Sequence, residues 1–378
     1  MMRRVVPLLA LTSLLIGSIA RSQPMLTRLQ GQTSLGAGVS GQWWTAGKNK
    51  VSQIAMPVNF VYPVGERLQL VVATAPAFSR LVAVGAQELN GLSDVRISGH
   101  YWTPDDRFLL TFGANLPTGK HALTSEEFNV ANVLAVHALA FRVPTMGQGL
   151  DFHLGAASAW EVGDFVLGAG ISYLARGAFR PFYGADYEYK PGGEMNLSLG
   201  IDRTLVLFGN DARLTTDVVY SMYGEDKGAG ETVFKSGDRL LIQGAVLARP
   251  GAFDLLVMVR ERMKGRNKTG IGDVFAEERK NSNGNELELG SQLLFGAPQG
   301  TRPKVLIDVK LYGDNQYGTG SATLLGLGGG ALLRLSGRME VDTNLRYYMG
   351  SIKSGPKAVA LSGLVVDAMA RFYLVRYQ

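Results

Sequence analysis

The sequence predicts an all-β protein: a single transmembrane antiparallel β-barrel of about 16–18 strands, within a range of 14–18, with a short helix in a long loop near residues 125–135. Three observations predict it. Stretches of about ten residues alternate apolar and polar side chains, which is the period of a strand with one face in lipid and the other in a lumen. Short Gly/Pro/Asn/Asp breaks separate those stretches. No window of the 378-residue chain beyond its first twenty residues approaches the roughly 18 apolar residues of a spanning helix.

The elements follow in order. "MMRR" is a basic start, "VVPLLALTSLLIGSIA" an apolar run, and Ser18-Ile19-Ala20 supplies small residues for cleavage, so residues 1–20 read as a signal peptide and 21–378 as the barrel. Strands are expected near 30–44, 51–63, 66–76, 94–103, 107–116, 149–161, 163–175, 178–190, 194–202, 211–223, 238–249, 252–262, 285–296, 304–312, 320–336, 338–348 and 359–376. "KVLIDVKLY" shows the pattern, with Val305, Ile307, Val309 and Leu311 set against Lys304, Asp308 and Lys310. In "LTSEEFNVANVLAVHALAF", Thr124 and Glu127 form a capping box, and Phe128, Val130 and Leu134 have helical spacing. A strand near 133–144 after that helix would make the count even. Long loops are expected at 76–91, 117–131, 224–237 and 263–284. Trp43, Trp44, Tyr101, Trp102, Tyr223, Tyr347 and Tyr348 stand at strand ends, where an interfacial girdle places aromatics.

A soluble β-sandwich shares this alternation, but its apolar faces meet in an interior. With the polar faces inward, a barrel lumen carries Asp94, Arg96, Arg107, Asp202, Arg213, Asp217, Arg260, Asp308, Lys310, Glu340, Asp342 and Arg346. The reverse orientation would place Arg and Lys in lipid at about 2–4 kcal/mol each near the midplane. The balanced signs favour cross-strand pairing over a ring of one charge.

Catalytic patterns are weak. "GLGGGA" at 326–331 matches a dinucleotide loop, but both flanks are strand-like, so the glycines read as close strand packing. His100, His121, His137 and His153 have no metal-ligand spacing, and no nucleophile elbow occurs. No cofactor, metal or enzyme activity is expected. A net charge of +6, of which two leave with the leader, gives no case for nucleic acid. The chain has no cysteine, hence no disulfide.

At "GLSDVRISGHYW…RFLLTFGANLPTGK", the strand opened by Gly91-Leu92-Ser93-Asp94 and the loop entered through Leu116-Pro117-Thr118-Gly119 resemble the outer-membrane family associated with meta-pathway phenol degradation. That family is distantly related to the long-chain fatty-acid (FadL-type) transporters. The resemblance covers residues 90–120 and is architectural elsewhere. It implies passive uptake of small hydrophobic, often aromatic, molecules across a bacterial outer membrane. Fatty-acid transporters carry an N-terminal hatch; here strand alternation begins by about residue 30, so the hatch is absent or its role passes to 117–145.

The expected partners are outer-membrane lipid and lipopolysaccharide, small hydrophobic solutes and the barrel-assembly machinery. Candidate capture residues are Phe78, Leu81, Val82 and Val84 in "FSRLVAVGAQ", with Phe128, Val130 and Leu134 in the next long loop. The alternative is that these residues pack against one another and close the barrel. A general hydrophilic porin and a non-transporting adhesin or structural barrel remain as other functions.

Overall fold

A computed structural model describes residues 32–376 except 84, 208, 252, 298, 299, 354 and 356. The signal-peptide expectation at 1–20 and the candidate Val84 lie outside the described residues. The chain forms sixteen antiparallel barrel strands. They are β1 (Gln32–Ala46), β2 (Asn49–Ala55 and Val58–Val64), β3 (Leu68–Thr74 and Pro76–Val82), β4 (Ala86–Leu92 and Val95–Trp102) and β5 (Phe108–Leu116). Helix α1 (Ser125–Leu134) precedes β6 (Asp151–Val162), β7 (Phe165–Ala175), β8 (Glu194–Leu207), β9 (Asn210–Tyr223) and β10 (Arg239–Ala248). The remainder are β11 (Phe253–Lys264), β12 (Glu286–Phe295), β13 (Arg302–Tyr312), β14 (Ala322–Ser336), β15 (Met339–Ile352) and β16 (Val359–Arg376). Each strand pairs with its sequence neighbours, and β16 pairs with β1 from Gln32↔Arg376 to Ala46↔Leu361, so the sheet has no free lateral edge there.

Register and exposure fix the two faces. Along β5 to β8, Phe112, Phe152, Leu154, Ile171, Leu197 and Leu199 point out and are exposed. On the other face Thr111, Asn196 and, on β9, Ser221 point in and are buried. An apolar outer belt around a polar interior is the arrangement that lipid requires and water does not. Arg203 is on the outer face beside the β8–β9 turn, with its guanidinium 4.5 Å from the centre of the Phe165 ring. At that rim the head can reach water while the stem lies on apolar surface. Connections alternate: short turns such as 163–164 at one end (the turn end), and longer ones such as 117–150, 176–193 and 265–285 at the other (the loop end). Three of the long loops join in a small five-stranded sheet built from Tyr189–Lys190, Glu225–Gly228, Glu231–Lys235, Lys268–Thr269 and Ala276–Glu277.

Three expectations are corrected. Residues 178–190 form no barrel strand, because Pro181 and Gly184, the latter at φ 78°, break the extension. Residues 76–91 are not a loop but the loop-end hairpin of β3 and β4. Residues 133–144 form no strand; they continue α1 into a run of turns. The girdle divides as well: Trp43 and Tyr347 face out, whereas Trp44 and Tyr348 are 2% exposed inside. Adjacent strand residues cannot share a face.

The interruptions of β2, β3 and β4 fall at one level. Pro57 has no N–H to give the ladder, and across the register Ala75 and Ser93 interrupt the next two strands, bridged by Ser93 N–H to Ala75 O at 3.0 Å. At this level β5 ends at Leu116, and the chain leaves the wall to return only at Asp151. The segment 117–150 folds into the barrel.

Candidate functional site

The inserted segment starts and ends on one carboxylate. Asp94, in the break of β4, accepts from Gly119 N–H and Gln148 N–H, both at 2.9 Å, and its own N–H donates to Met146 O at 2.8 Å. Within the segment, the Thr124 capping box starts α1 as the sequence predicts. Burial would raise the Glu127 pKa, but Lys120, which forms an ion pair with it, and the Thr124 N–H bring it below the usual carboxylate range.

Beyond α1 the chain crosses the lumen, and the wall holds it through backbone groups. Gln42 donates to Ala140 O (3.1 Å) and accepts from Arg142 N–H (2.6 Å). Gln53 donates to Val143 O and accepts from Val143 N–H, both at 2.8 Å. Each primary amide therefore stands in for a neighbouring strand. Lys310 donates to Ala138 O at 3.0 Å, with Trp44 and Tyr348 rings 5.9 and 5.0 Å away. Val130, Leu134, Leu139, Phe141, Val143 and Met146 are buried against inward residues of β1–β4 and β13–β16, including Trp44, Ala55, Ala77, Leu89, Leu324 and Leu361. The tip reaches the opposite wall, where Arg262 donates to His137 Nε2 at 3.0 Å. Burial, and then the Arg262 charge, push this imidazole down to about 3, so it stays a neutral acceptor.

The rest of the lumen is lined by paired charges. Arg260 and Glu288 oppose one another directly and bond, as do Arg262 and Glu286. Arg213 pairs with Asp202, and Arg346 with Asp308 at 3.1 Å. Lys304 reaches Asp342 across β14, and Tyr348 reaches Asp308 (3.0 Å) the same way. Those reaches explain the glycine run: Gly326, Gly328 and Gly330 face inward on β14, and a Cβ at Gly326 would fall within the Tyr348 ring. The close packing expected of "GLGGGA" thus takes the form of side chains crossing a bare strand.

Of the twelve expected lumen charges, Arg96, Asp202, Arg213, Asp217, Arg260, Asp308, Lys310, Glu340, Asp342 and Arg346 face inward by register. Asp94 is the clamp of the inserted segment. Arg107 is corrected: it lies in the exposed β4–β5 turn, 3.9 Å from Asp105, because the strand starts one residue later. The six described capture candidates do not form one site. Phe78 and Val82 are exposed on the outer face of β3, while Leu81, Val130 and Leu134 are buried between segment and wall. Phe128 is 40% exposed, with its ring 5.1 Å from that of Phe182.

Phe128 belongs to an aromatic cluster that strand patterning missed. Where β5 and β6 stop short, the loop-end half of β4 has no strand beyond it; among backbone bonds of the described residues, only Lys120 N–H to Leu92 O (3.3 Å) continues the ladder. The gap is filled by α1 and by residues 177–190. Leu123 bridges to Phe182, and Phe179 to Tyr189. The rings of His121 and Phe179 stand 6.3 Å apart, those of Phe179 and Tyr189 5.9 Å, and Tyr183 beside them is 83% exposed. The density of aromatics in "FRPFYGADYEY" was the available signal; reading it as a strand hid it.

No protein-family model and no curated protein sequence matches the chain. Among solved structures it is similar to the CymD monoaromatic hydrocarbon channel, with TM-score 0.46 and 12% identity over 93% of this chain and 91% of that one. It is similar to OprB of Pseudomonas putida, with TM-score 0.47 and 9% identity over 90% of this chain and 94% of that one. The outer membrane protein opdK of Pseudomonas aeruginosa gives TM-score 0.40 and 9% identity over 90% and 99%. Values of this size carry no argument about function.

Proposed function

We propose that the protein is an outer-membrane channel for passive uptake of small aromatic or otherwise hydrophobic molecules. The observation that carries the reading is a closed barrel with an apolar outer belt, whose lumen is narrowed, on one side, by a segment fixed through Gln42, Gln53 and Lys310. A structural barrel has no need of an interior that combines a one-sided apolar plug with an ion-paired, partly exposed opposite wall. The cluster of Phe128, Phe179, Phe182 and Tyr189 at the notch supports an aromatic solute, since ring pairs at such spacings add about 0.5–1.5 kcal/mol beyond burial. The charged wall favours a second reading, a general pore for polar solutes.

Planar-bilayer recording on the folded protein tests the first point. Small steps in simple salt are expected; silence from folded protein would refute a channel, and large steady steps would favour the general pore. Uptake of toluene into proteoliposomes, compared between the wild type and Phe128→Ser, tests the solute class. Equal uptake would remove Phe128 from the route.

A further inference from the structure

Among the described side chains of the barrel strands, every Lys and Arg faces the lumen by register except three. Arg203 is one, at the turn end. The other two, Lys50 on β2 and Arg80 on β3, face outward together at the loop end. Val51 and Gln53 point in and are buried, so Lys50, Ser52 and Ile54 point out, and Ser52 is directly opposite Arg80. Lys50 stands one outward position nearer the loop end, between Thr45 of β1 and Val82 of β3. Lys48, in the β1–β2 turn, is exposed beside it.

The pair stands where the apolar belt ends. From Val64 at the turn end to Ile54, the outer face of β2 is apolar, with Tyr62, Val58 and Met56 exposed between them. That is about ten residues, or about 33 Å of strand. A tilt of about 40° makes it about 25 Å high, the height of the lipid-facing band of such barrels. Ser52, Lys50 and Arg80 therefore stand in the headgroup layer. The longer connections of a barrel lie outside the cell, so this is the outer leaflet. On the belt side, Trp43, Ile54 and Phe78 are exposed, and a Cβ at Gly41 would fall 2.4 Å from the Trp43 ring, so that ring lies over Gly41 along the wall. The hairpins at 47–48 and 83–85 are short, so neither adds a long loop over the band.

The chain does not neutralise these cations. Lys48 and Lys50 form no ion pair among the described residues. Arg80 has Glu88 at 3.9 Å, with both side chains 58% exposed. Glu88 is the one acid on the loop-end parts of β1 to β4, and the adjoining residues 353–361 contain none.

We infer that this band binds lipopolysaccharide: a lipid A phosphate lies between Lys48, Lys50 and Arg80, sugar hydroxyls meet Thr45 and Ser52, and acyl chains run over Trp43, Ile54 and Phe78. A phosphomonoester brings up to two negative charges and three acceptor oxygens. Against it the cations form charge-assisted hydrogen bonds that water alone does not supply. A zwitterionic phospholipid carries its own cation and needs none from the wall. The inference rests on the outer-membrane placement and is independent of which solute the lumen passes.

The test is native mass spectrometry of the folded barrel in detergent, titrated with diphosphoryl lipid A, dephosphorylated lipid A and phosphatidylethanolamine. The wild type is expected to hold diphosphoryl lipid A more tightly than either of the others. The double variant Lys50→Gln/Arg80→Gln should bind it about 25-fold more weakly, about fivefold for each cation near the membrane surface. Arg203→Gln, at the turn end, should bind it as the wild type does, and heat-modifiable gel mobility shows each barrel intact. Equal retention of all three lipids by the wild type would overturn the site without any variant. Undiminished binding by the folded double variant, or the same loss in Arg203→Gln, would overturn it too. None of these outcomes bears on conduction, so the channel reading stands or falls separately.

Discussion

Gln53→Leu removes the amide that holds the inserted segment at Val143 and keeps the side chain's approximate volume. Gln53 is 1% exposed and Val143 4%, so water does not replace what is lost. Val143 N–H and C=O lose their partners at 2.8 Å, and Ser79 Oγ loses a donor at 3.1 Å. Two buried backbone groups left unsatisfied destabilise the docked segment by about 1–3 kcal/mol each. Burial of the leucine returns about 1 kcal/mol of this. The net expectation is about 1–5 kcal/mol against docking, which multiplies the undocked population about 5- to 5000-fold. The sixteen-strand ladder is untouched, so the barrel should stay folded. Hydrogen exchange read at residues 136–146, together with current noise in a bilayer, is the assay. Faster exchange confined to this segment and more frequent current fluctuations are expected. Wild-type exchange rates at 136–146 in a folded Gln53→Leu barrel would refute the view that the amide fixes the segment.

Asp94→Asn loosens both feet of the same segment, because Gly119 N–H and Gln148 N–H bond to different carboxylate oxygens: the amide oxygen accepts from one of them less strongly, and its NH2 faces the other as a second donor; protease sensitivity between 117 and 150 should rise, with loss of about 1–3 kcal/mol per charged bond. Gly326→Ala should displace Tyr348 and break its bond to Asp308, destabilising the barrel by about 1–3 kcal/mol in urea unfolding. His137, held far below 6.5 when docked, protonates more readily when released, so docking is strongest above about pH 6.5 and weakens as pH falls toward the docked value of about 3. Current fluctuations should therefore grow on acidification in the wild type and not in His137→Gln, whose amide can still accept from Arg262; the same acid response in both would exclude the imidazole. Leu134→Ser, at a position 1% exposed, should loosen the segment, whereas Phe128→Ser, on the exposed face of α1, should leave exchange in the segment unchanged.

The barrel itself was legible because lipid imposes a period of two. Val305 to Leu311 against Lys304 to Lys310 can be sorted into outer and inner faces without any tertiary knowledge, and the structure sorts them the same way. The α1 cap was legible for the same reason: Thr124 and Glu127 are three residues apart and need nothing distant. The errors fall where a local pattern serves a non-local partner. Residues 133–144 look like a strand because their apolar side chains alternate, yet they are apolar in order to pack on Trp44, Ala55 and Leu361 from the far ends of the chain.

Gln42 and Gln53 were unremarkable polar residues on inward faces until the fold set backbone groups opposite them. Glu194, shared by Arg176 and Arg239 from 18 residues before it and 45 after it, has its role only when β7, β8 and β10 stand side by side. The sequence by itself determined most of the strands and which of their faces is polar, since these depend on side-chain period and transfer free energy. Tertiary structure decided which charges pair and which segment enters the lumen. These depend on distances between residues far apart in the chain, and a period of two carries no information about them.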